Sequence, residues 1–578
     1  MERVVSKALV EQALWLLKKA GATQAEVKLA LSNKQELNLA NNEMSLYRTT
    51  QDIALELVAF SGYKKSVKRI NQIEDTQVEK AVLEVVETAK GSQEDEANAI
   101  AEYQPAQRFQ TGPEACDFER LYGKLDAFIQ YARKETPYVN LEEGAAEFLL
   151  KEHFHMNSNG LDNYAKTAFY NFGVVFIAVK EKARSSFNYT GLLQEELNQE
   201  FYDAGSISEL MRQSEQQLDP RSIPANFVGD VVFTPDCLAD ILEVIVANLK
   251  DRPIHTGISI FANKLHRPVA HPSLTLLANP VGDGMPDKSF FTENGYLAKN
   301  QAIIENGVLN TYLLSLYGAR KTGFARSETV GRNLSVAPGM TQKDDMIKGI
   351  KKGVLLGRFS GGAPAPNGDF SGVAKNSYYI EDGKILYALK ETMIAGNVRK
   401  MLFDIRGISA ERCRFGYATL PWLRVDGGST FKVNGHVFLG ENDRATGTVD
   451  VVNGSTFISD NQSSDRGMIV SPSTGADMTV TFDSASTNRA YLMRVGRGGK
   501  VTYKVGSVLE LDGSPVNATS GGNTEGTVTF DNATLRQRTV SRSSDWFPGS
   551  HGLSVGPGGL TVDVGTYGWI GPALKPAG

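Results

Sequence analysis

The sequence predicts a multidomain α+β protein ending in an all-β segment, and three observations carry that prediction. The chain has 578 residues, more than the roughly 100–200 usual for one domain, so several cores are expected. Up to about residue 428, stretches with a helical apolar period alternate with stretches of period two. Beyond it, helical periodicity is lost and glycine rises: 23 of the 56 glycines fall in the last 150 residues. With 41% hydrophobic and 22% charged residues, the composition is that of a folded globular chain.

Val4, Ala8, Ala13, Leu14 and Leu17 recur near helical spacing, and Gly21 supplies a stop, which predicts a helix over 2–20. Val27, Leu29 and Leu31 then alternate with polar neighbours, and Asp52 to Phe60 forms a second extended run turning at Ser61-Gly62 into a basic strand. Val78, Ala81, Val82, Val85 and Val86 follow the spacing of a helix packed on that sheet, and Lys90-Gly91 closes a first α+β domain, 1–91. Residues 92–113, with Pro105 and Pro113 and no sustained period, read as a linker. A middle α+β domain, 114–226, has a helix through Leu121, Leu125, Phe128 and Ile129, strands near 147–155 and 168–180, and a helix within 206–218 stopped by Pro220 and Pro224.

The third domain, 227–428, opens with the strand Val231–Phe233, after which Thr234 can cap and Pro235 can begin a helix reaching Leu249. Turn signals at Glu305-Asn306-Gly307 and Glu381-Asp382-Gly383 suit tight hairpins, so most of this domain is read as antiparallel sheet. In the tail, 429–578, short runs such as GTVDV from Gly447, GTVTF from Gly526 and GLTVDV from Gly559 sit between Gly, Asn and Ser turns. They suggest a β-solenoid or a similar stack with a loose period. Its 12 basic and 13 acidic side chains point to no ligand.

Charge and cysteine content narrow the partners. Sixty-one basic against 66 acidic side chains leave a net charge of -5, and no Lys/Arg stripe is present to release counterions from a nucleic acid. Cys116, Cys237 and Cys413 form an odd, widely spaced set that suits reduced thiols. Charges from Glu2 to Lys19 interrupt any signal-peptide core, and no run of 18 apolar residues occurs, so a soluble cytoplasmic protein without a membrane partner is expected.

The seven histidines are His153, His155, His255, His266, His271, His436 and His551, and none forms an HExxH or HExxxH motif. Such motifs bring two imidazoles to one zinc with a neighbouring Glu as base. His153 and His155, two apart on a strand, share a face and could grip a metal, although no third ligand is placed by sequence and a packed strand pair is the commoner arrangement. His266 and His271 have the HExxxH spacing, but Arg267 replaces the Glu and Pro268 opposes a helix interior. These two, with His255, read as loop histidines. Around Ser371 the GxSxG register fails, because Phe370 is the central residue between Gly368 and Gly372. Cys413 lies between Arg412 and Arg414, which could activate it, yet a plain buried thiol is the commoner case.

The third domain resembles the TldD/PmbA family, once called modulators of DNA gyrase. The blocks that carry the resemblance are Gly295, Ile304–Gly307, Tyr312-Leu313, Tyr317, Ala319–Lys321, Gly323, Asn333-Leu334 and Pro338-Gly339. They continue through Gly361-Gly362, Gly368–Ser371, Ile380–Gly383, Ile394–Asn397, Leu420-Pro421 and Val425–Gly427. The resemblance extends less strongly to the N-terminal helix and sheet, covering about residues 1–428; the tail lies outside it and is similar to β-solenoid or autotransporter-passenger segments.

In one branch of the family, TldD, a zinc-binding HExxxH lies on the helix after the strand equivalent to Val231–Phe233. Counted from Pro235, its histidines fall near Glu243 and Asn248 here, and Cys413 sits where that branch places a further ligand. The resemblance therefore implies the zinc-free PmbA/TldE branch: no cofactor or metal of its own, zinc in a TldD-like partner subunit, and a heterodimer that trims unfolded peptides in the cytoplasm. A homodimer is also open. It further implies a chamber with sheet edges for extended peptides, in which Gly361, Gly362, Gly368, Asp369 and Ser371 are candidate substrate-binding residues; ordinary turn glycines explain the glycines equally well. Two alternatives stay open: a stand-alone peptidase using His153 and His155, and a structural or adhesive module dominated by the tail.

Overall fold

The computed structural model describes residues 7–426 apart from 224–226, 362, 363 and 366, and, beyond 426, strand segments between Thr430 and Asp563. The chain divides into two compact units: 1–368, 373–392 and 399–426 form the first, and 369–372, 393–398 and 427–578 the second.

The first unit begins as its apolar spacing predicts. Helix α1 (Lys7–Lys19) buries Leu9, Val10, Ala13 and Leu17. Strands β1 (Gln24–Ala40), β2 (Glu43–Ser61) and β3 (Lys64–Ile70) follow as two hairpins. The second turns at Gly62, whose φ of 65° favours a residue without Cβ. Helix α2 (Asp75–Gly91) buries Val78, Ala81, Val82, Val85, Val86 and Ala89. It joins α1 over Val27, Leu29, Leu55 and Leu57 of the sheet.

The segment read as a linker is part of this sheet. Strand β4 (Gln107–Thr111) pairs in parallel with a strand more than fifty residues later, and Asn157 Nδ2 donates to the carbonyl of Ala101 at 2.8 Å. Helix α3 (Phe118–Glu135) is capped by Asp117, whose side chain accepts from Arg120 N. Strands β5 (Val139–Asn157), β6 (Asp162–Lys180), β7 (Ala183–Arg184) and β8 (Asn188–Gln194) and helix α4 (Ile207–Gln216) complete the middle region. The sheet order is β3-β2-β1-β5-β6-β4, with β7 and β8 also pairing to β6. Hence β1 and β5, on opposite sides of the supposed linker, are neighbours from Glu26↔Asn157 to Ala40↔Glu143. Residues 1–91 and 114–226 share one sheet; each local period was legible, but the long-range pairing that joins them leaves no periodic trace. A second core lies under α3 and α4, around Phe128, Phe148, Phe172 and Phe201.

The C-terminal part of this unit is built on β9 (Asp230–Phe233), followed by α5 (Pro235–Asn248) and α6 (Asp251–His255). Strands β10 (Leu276–Ala278), β11 (Gln301–Glu305) and β12 (Val308–Leu309), helix α7 (Leu316–Thr322), and strands β13 (Leu334–Val336), β14 (Lys352–Leu356), β15 (Arg358–Gly361) and β16 (Asp369–Lys375) come next. Strands β17 (Tyr378–Glu381), β18 (Lys384–Ala388) and β19 (Thr392–Asn397), helix α8 (Val398–Phe403), β20 (Ile405–Arg414) and β21 (Ala418–Val425) follow, of which 369–372 in β16 and 393–398 in β19 and the start of α8 belong to the second unit. The larger sheet runs β12-β11-β10-β13-β21-β9-β14-β17-β18, with β20 on β21. Only β13–β21 and β9–β14 among its described pairs are parallel. Both hairpin turns adopt the geometry their sequences ask for: Asn306 and Gly307 have φ of 49° and 78°, and Asp382 and Gly383 46° and 74°, as a two-residue turn between twisted strands requires.

In the second unit the described tail strands pair in parallel, Thr446 with Asp477, Met478 with Gly499, Lys500 with Thr527 and Val528 with Leu553. Val480 and Val501 face each other in that register and are both buried.

Candidate functional site

The site grows from the start of α5. Strand β9 is central, parallel to β14 and antiparallel to β21, so its C-terminal end and the helix that follows are held from both sides. Thr234 caps the helix: its Oγ1 accepts from Cys237 N at 3.4 Å and donates to the carbonyl of Gly357 at 3.3 Å. Pro235 occupies the first turn, where no N–H is needed. This puts Asp236 in the first turn, where the helix dipole favours an anion, yet the residue is only 5% exposed.

Three segments converge on that carboxylate. Its Oδ1 accepts from Ser206 Oγ at 2.9 Å and from Thr190 Oγ1 at 3.1 Å, and Arg358 Nη2 stands 3.5 Å away. Arg358 is itself pinned by β8. Its Nε donates to Asn188 Oδ1 at 3.2 Å, its Nη2 donates to the carbonyl of Tyr189, and the guanidinium lies 4.0 Å from the centre of the Tyr189 ring. Gly357 makes this path available, since a Cβ there meets the carbonyl oxygen of Asn376 at 2.1 Å. Burial pushes the Asp236 carboxyl up, and it prevails over the opposing pull of Arg358 and the two hydroxyls.

Asp240 and Glu243 continue one helix face at i+4 and i+7 from Asp236. Burial likewise pushes Asp240 up, Arg358 opposes, and the neighbouring charges of Glu243 and Asp236 add to the rise. Asp240 makes no hydrogen bond or ion pair among the described residues, whereas Glu243 is exposed. From the other side come Cys413 in β20 and Tyr417 in the turn before β21. Burial raises the Cys413 thiol, reinforced by Asp236 and Glu209 against Lys343; burial also raises the Tyr417 hydroxyl, with Asp236 acting in the same direction. Asp236, Asp240, Arg358, Cys413 and Tyr417 thus act on one another electrostatically.

Comparison with known proteins places this region. Residues 228–431, the span holding β9, α5, Arg358 and Cys413, match the family described as the PmbA/TldA metallopeptidase C-terminal domain. Residues 228–431 carry the C-terminal domain of the TldD/PmbA family. A metalloprotease of Methanothermobacter thermautotrophicus is 28% identical to it over 228 residues, 37% of this chain and 50% of that protein. A metalloprotease PmbA homolog of Haemophilus influenzae is 23% identical over 425 residues, 69% of this chain and 90% of its own length. The chain therefore spans half of the first relative and most of the second. Of solved structures, TldE from Thermococcus kodakarensis superposes with a TM-score of 0.63 at 18% identity, over 72% of this chain and 99% of that one. A modulator of DNA gyrase from Bacteroides thetaiotaomicron, so described in its structure's name, does so with 0.63 at 19% identity, over 74% and 99%. These two likenesses speak to fold alone.

Because the family's relatives are described as metalloproteases, the donors around α5 have to be tested against a metal. They do not fit one. A zinc site needs neutral imidazoles, thiolates or ionised carboxylates converging on one point. Here Asp236 Oδ1 is already taken by the hydroxyls of Ser206 and Thr190, and the positive charge beside it is Arg358. Among the described residues no group of three or more His, Cys, Asp and Glu side chains is arranged to hold a metal ion.

The positions counted from sequence, Glu243 and Asn248, lie in different surroundings. Glu243 is on the acidic face, but Asn248 ends the helix, its Nδ2 turned back to the carbonyl of Val244 at 3.0 Å and its Oδ1 accepting from Ile260 N at 3.4 Å. The side chains acting on Cys413 are Asp236, Glu209 and Lys343 instead. His153 and His155 do share a face of β5, yet His155 is buried with Nε2 3.2 Å from Glu26 Oε2, and His153 is exposed. His271 Nδ1 pairs with Ser273 Oγ at 2.8 Å, and the His255 ring stands against Tyr317. Of the candidate substrate residues, Gly361 is exposed at the end of β15, and Gly368 has φ of 93° with its N–H on the carbonyl of Ala365 at 2.7 Å, a turn that needs glycine. Asp369 Oδ1 accepts from Asn397 Nδ2 at 2.8 Å within the second unit, where Ser371 is exposed. Gly362 lies outside the described residues.

Sequence reasoning missed Asp236, Asp240, Arg358, Asn188, Tyr189 and Tyr417. One signal was available: three acids at i, i+4 and i+7 on an otherwise apolar helix. Arg358 had none, because its partners arrive from a strand about 170 residues earlier.

Proposed function

We propose that this chain is a zinc-free PmbA/TldE-like subunit that pairs with a metal-bearing TldD-like relative and presents unfolded peptides to it in the cytoplasm. The observation that carries the reading is the acid face of α5 closed on Arg358. A guanidinium stands where the helix offers neither imidazoles nor a thiolate, so this subunit supplies binding and enclosure while the relative supplies the cation. The relatives described as metalloproteases favour a peptide substrate. Gly361, Gly362, Gly368, Asp369 and Ser371 are proposed as peptide contacts, because a small or exposed residue lets an extended main chain approach. For the tail we propose a β-solenoid, supported by successive parallel pairings such as Thr430↔Thr456, Thr456↔Thr487 and Thr487↔Val508.

Coexpression with a TldD-like relative tests the reading. The two chains are expected to copurify, with chelator-sensitive peptide cleavage appearing only in the complex. Cleavage by this chain alone, abolished by a chelator, overturns it; so does a failure of the two chains to associate.

A further inference from the structure

The outer edge of β3 borders a groove of about 1090 Å3, whose lining includes Tyr63, Lys65, Val67, Glu94, Arg320 and Lys321. That volume exceeds what most small ligands fill and suits several residues of an extended chain. Strand β3 ends its sheet, so β2 is its strand partner among the described residues. The hairpin closes on Ser61↔Lys64 around a two-residue turn. In such a hairpin Lys64, Ser66 and Lys68 bond to β2, whereas Lys65, Val67 and Arg69 direct N–H and C=O outward.

The chain itself has begun to use this edge. Glu94 bridges Lys64 in the antiparallel sense, and Asp95 N donates to the carbonyl of Tyr63 at 3.3 Å. No further main-chain hydrogen bond reaches the outward groups of Val67 and Arg69 among the described residues. Lys65, Val67 and Arg69 also share one side-chain face, and Val67 is 51% exposed. Neither Lys65 nor Arg69 has a carboxylate at ion-pair distance among the described residues. Arg320 donates to the main-chain carbonyl of Glu96 at 2.8 Å, and Lys321 is already paired with Asp95 at 2.9 Å. The groove's own acids, Glu94 to Glu96, stand on the lip where the internal segment starts its pairing; β3 has no acidic residue, and with Lys68 paired to Glu84, Lys65 and Arg69 are the cations left on its outward-bonding positions.

We infer that the β3 edge docks an extended peptide segment of the pattern acidic–apolar–acidic, added as an antiparallel strand in line with the bridge made by Glu94. Main-chain bonds to Val67 and Arg69 hold the segment, and cross-strand pairing with Lys65, Val67 and Arg69 selects its side chains. This rests on the peptide-binding reading above and gives it a place and a preference.

The test is fluorescence anisotropy with a labelled peptide of alternating Glu and Val, and a Lys-Val counterpart, on the full chain. The acidic peptide is expected to bind, more weakly as salt rises, and the basic one not to. Val67→Pro removes an outward N–H and no bond to β2, a change an edge strand tolerates, and it should weaken binding about tenfold. The double change Lys65→Glu, Arg69→Glu should reverse the preference, and it decides the matter if Val67→Pro does not fold. Equal binding of both peptides, or binding unchanged in both variants, overturns the inference. If the complex with a TldD-like relative still cleaves peptides in that event, the groove fails and the subunit reading stands. Docking at β3 without any association with the relative is the opposite result.

Discussion

Replacing Arg358 with methionine isolates the feature on which the reading of the site depends. Arg358 and Asp236 are 7% and 5% exposed, so the pair is almost fully desolvated. Removing one partner of a buried pair costs about 3–5 kcal/mol, because the other charge is left without compensation. Asp236 has an escape, since it can take up a proton. Burial already holds its folded pKa above the ordinary value, and losing Arg358 raises it further. An acid of this kind contributes stability that is fully present below its unfolded pKa and is lost as pH rises through the folded one. The penalty of Arg358→Met should therefore be small near pH 4 and approach about 3–5 kcal/mol by pH 8. Urea unfolding at several pH values measures it. Adding Asp236→Asn should recover most of the loss at pH 8, since a buried ion pair replaced as a unit is often close to neutral. A penalty that does not change with pH, or a double variant losing as much as both single changes added together, would falsify the electrostatic account.

Other tests probe separate parts of the first unit. Burial pushes Glu26 up, but His155 and Lys28 more than reverse this and hold its carboxyl at about 2 instead of 4.5. Its contribution is present above the unfolded value and lost as pH falls from there through 2, so Glu26→Gln should cost about 3 kcal/mol at pH 7 and almost nothing at pH 2, read from denaturant melts. Thr234→Ala removes the cap of α5 and should cost about 1 kcal/mol; a larger loss in Thr234→Ser than in Thr234→Ala would contradict the capping role. With burial raising its thiol, native Cys413 should alkylate at pH 7.5 far more slowly than in urea, and fast native labelling would show a thiolate.

Much of the fold was readable before any coordinates. The apolar spacing of Val78 to Val86, the cap and proline at Thr234-Pro235, and the positive-φ turns at Asn306-Gly307 and Asp382-Gly383 are local signals, and each produced the element expected. The stretch 92–113 was misread because its structure comes from pairing with β6, not from its own periodicity. The site was less legible. Absence of an imidazole pair was plain, but the guanidinium beside Asp236 was invisible, since Asn188, Ser206, Asp236 and Arg358 belong to four segments that only packing assembles.

By itself, the order of residues determined where helices start and stop, which faces they bury, and that α5 holds no histidine. Those properties depend on neighbours within a few positions, where backbone sterics and side-chain spacing act. Only the tertiary structure decided that β1 and β5 lie side by side, that Arg358 meets Asp236 away from water, and that β3 ends its sheet among the described residues. These follow from contacts between distant segments, whose energies depend on burial that no local pattern encodes.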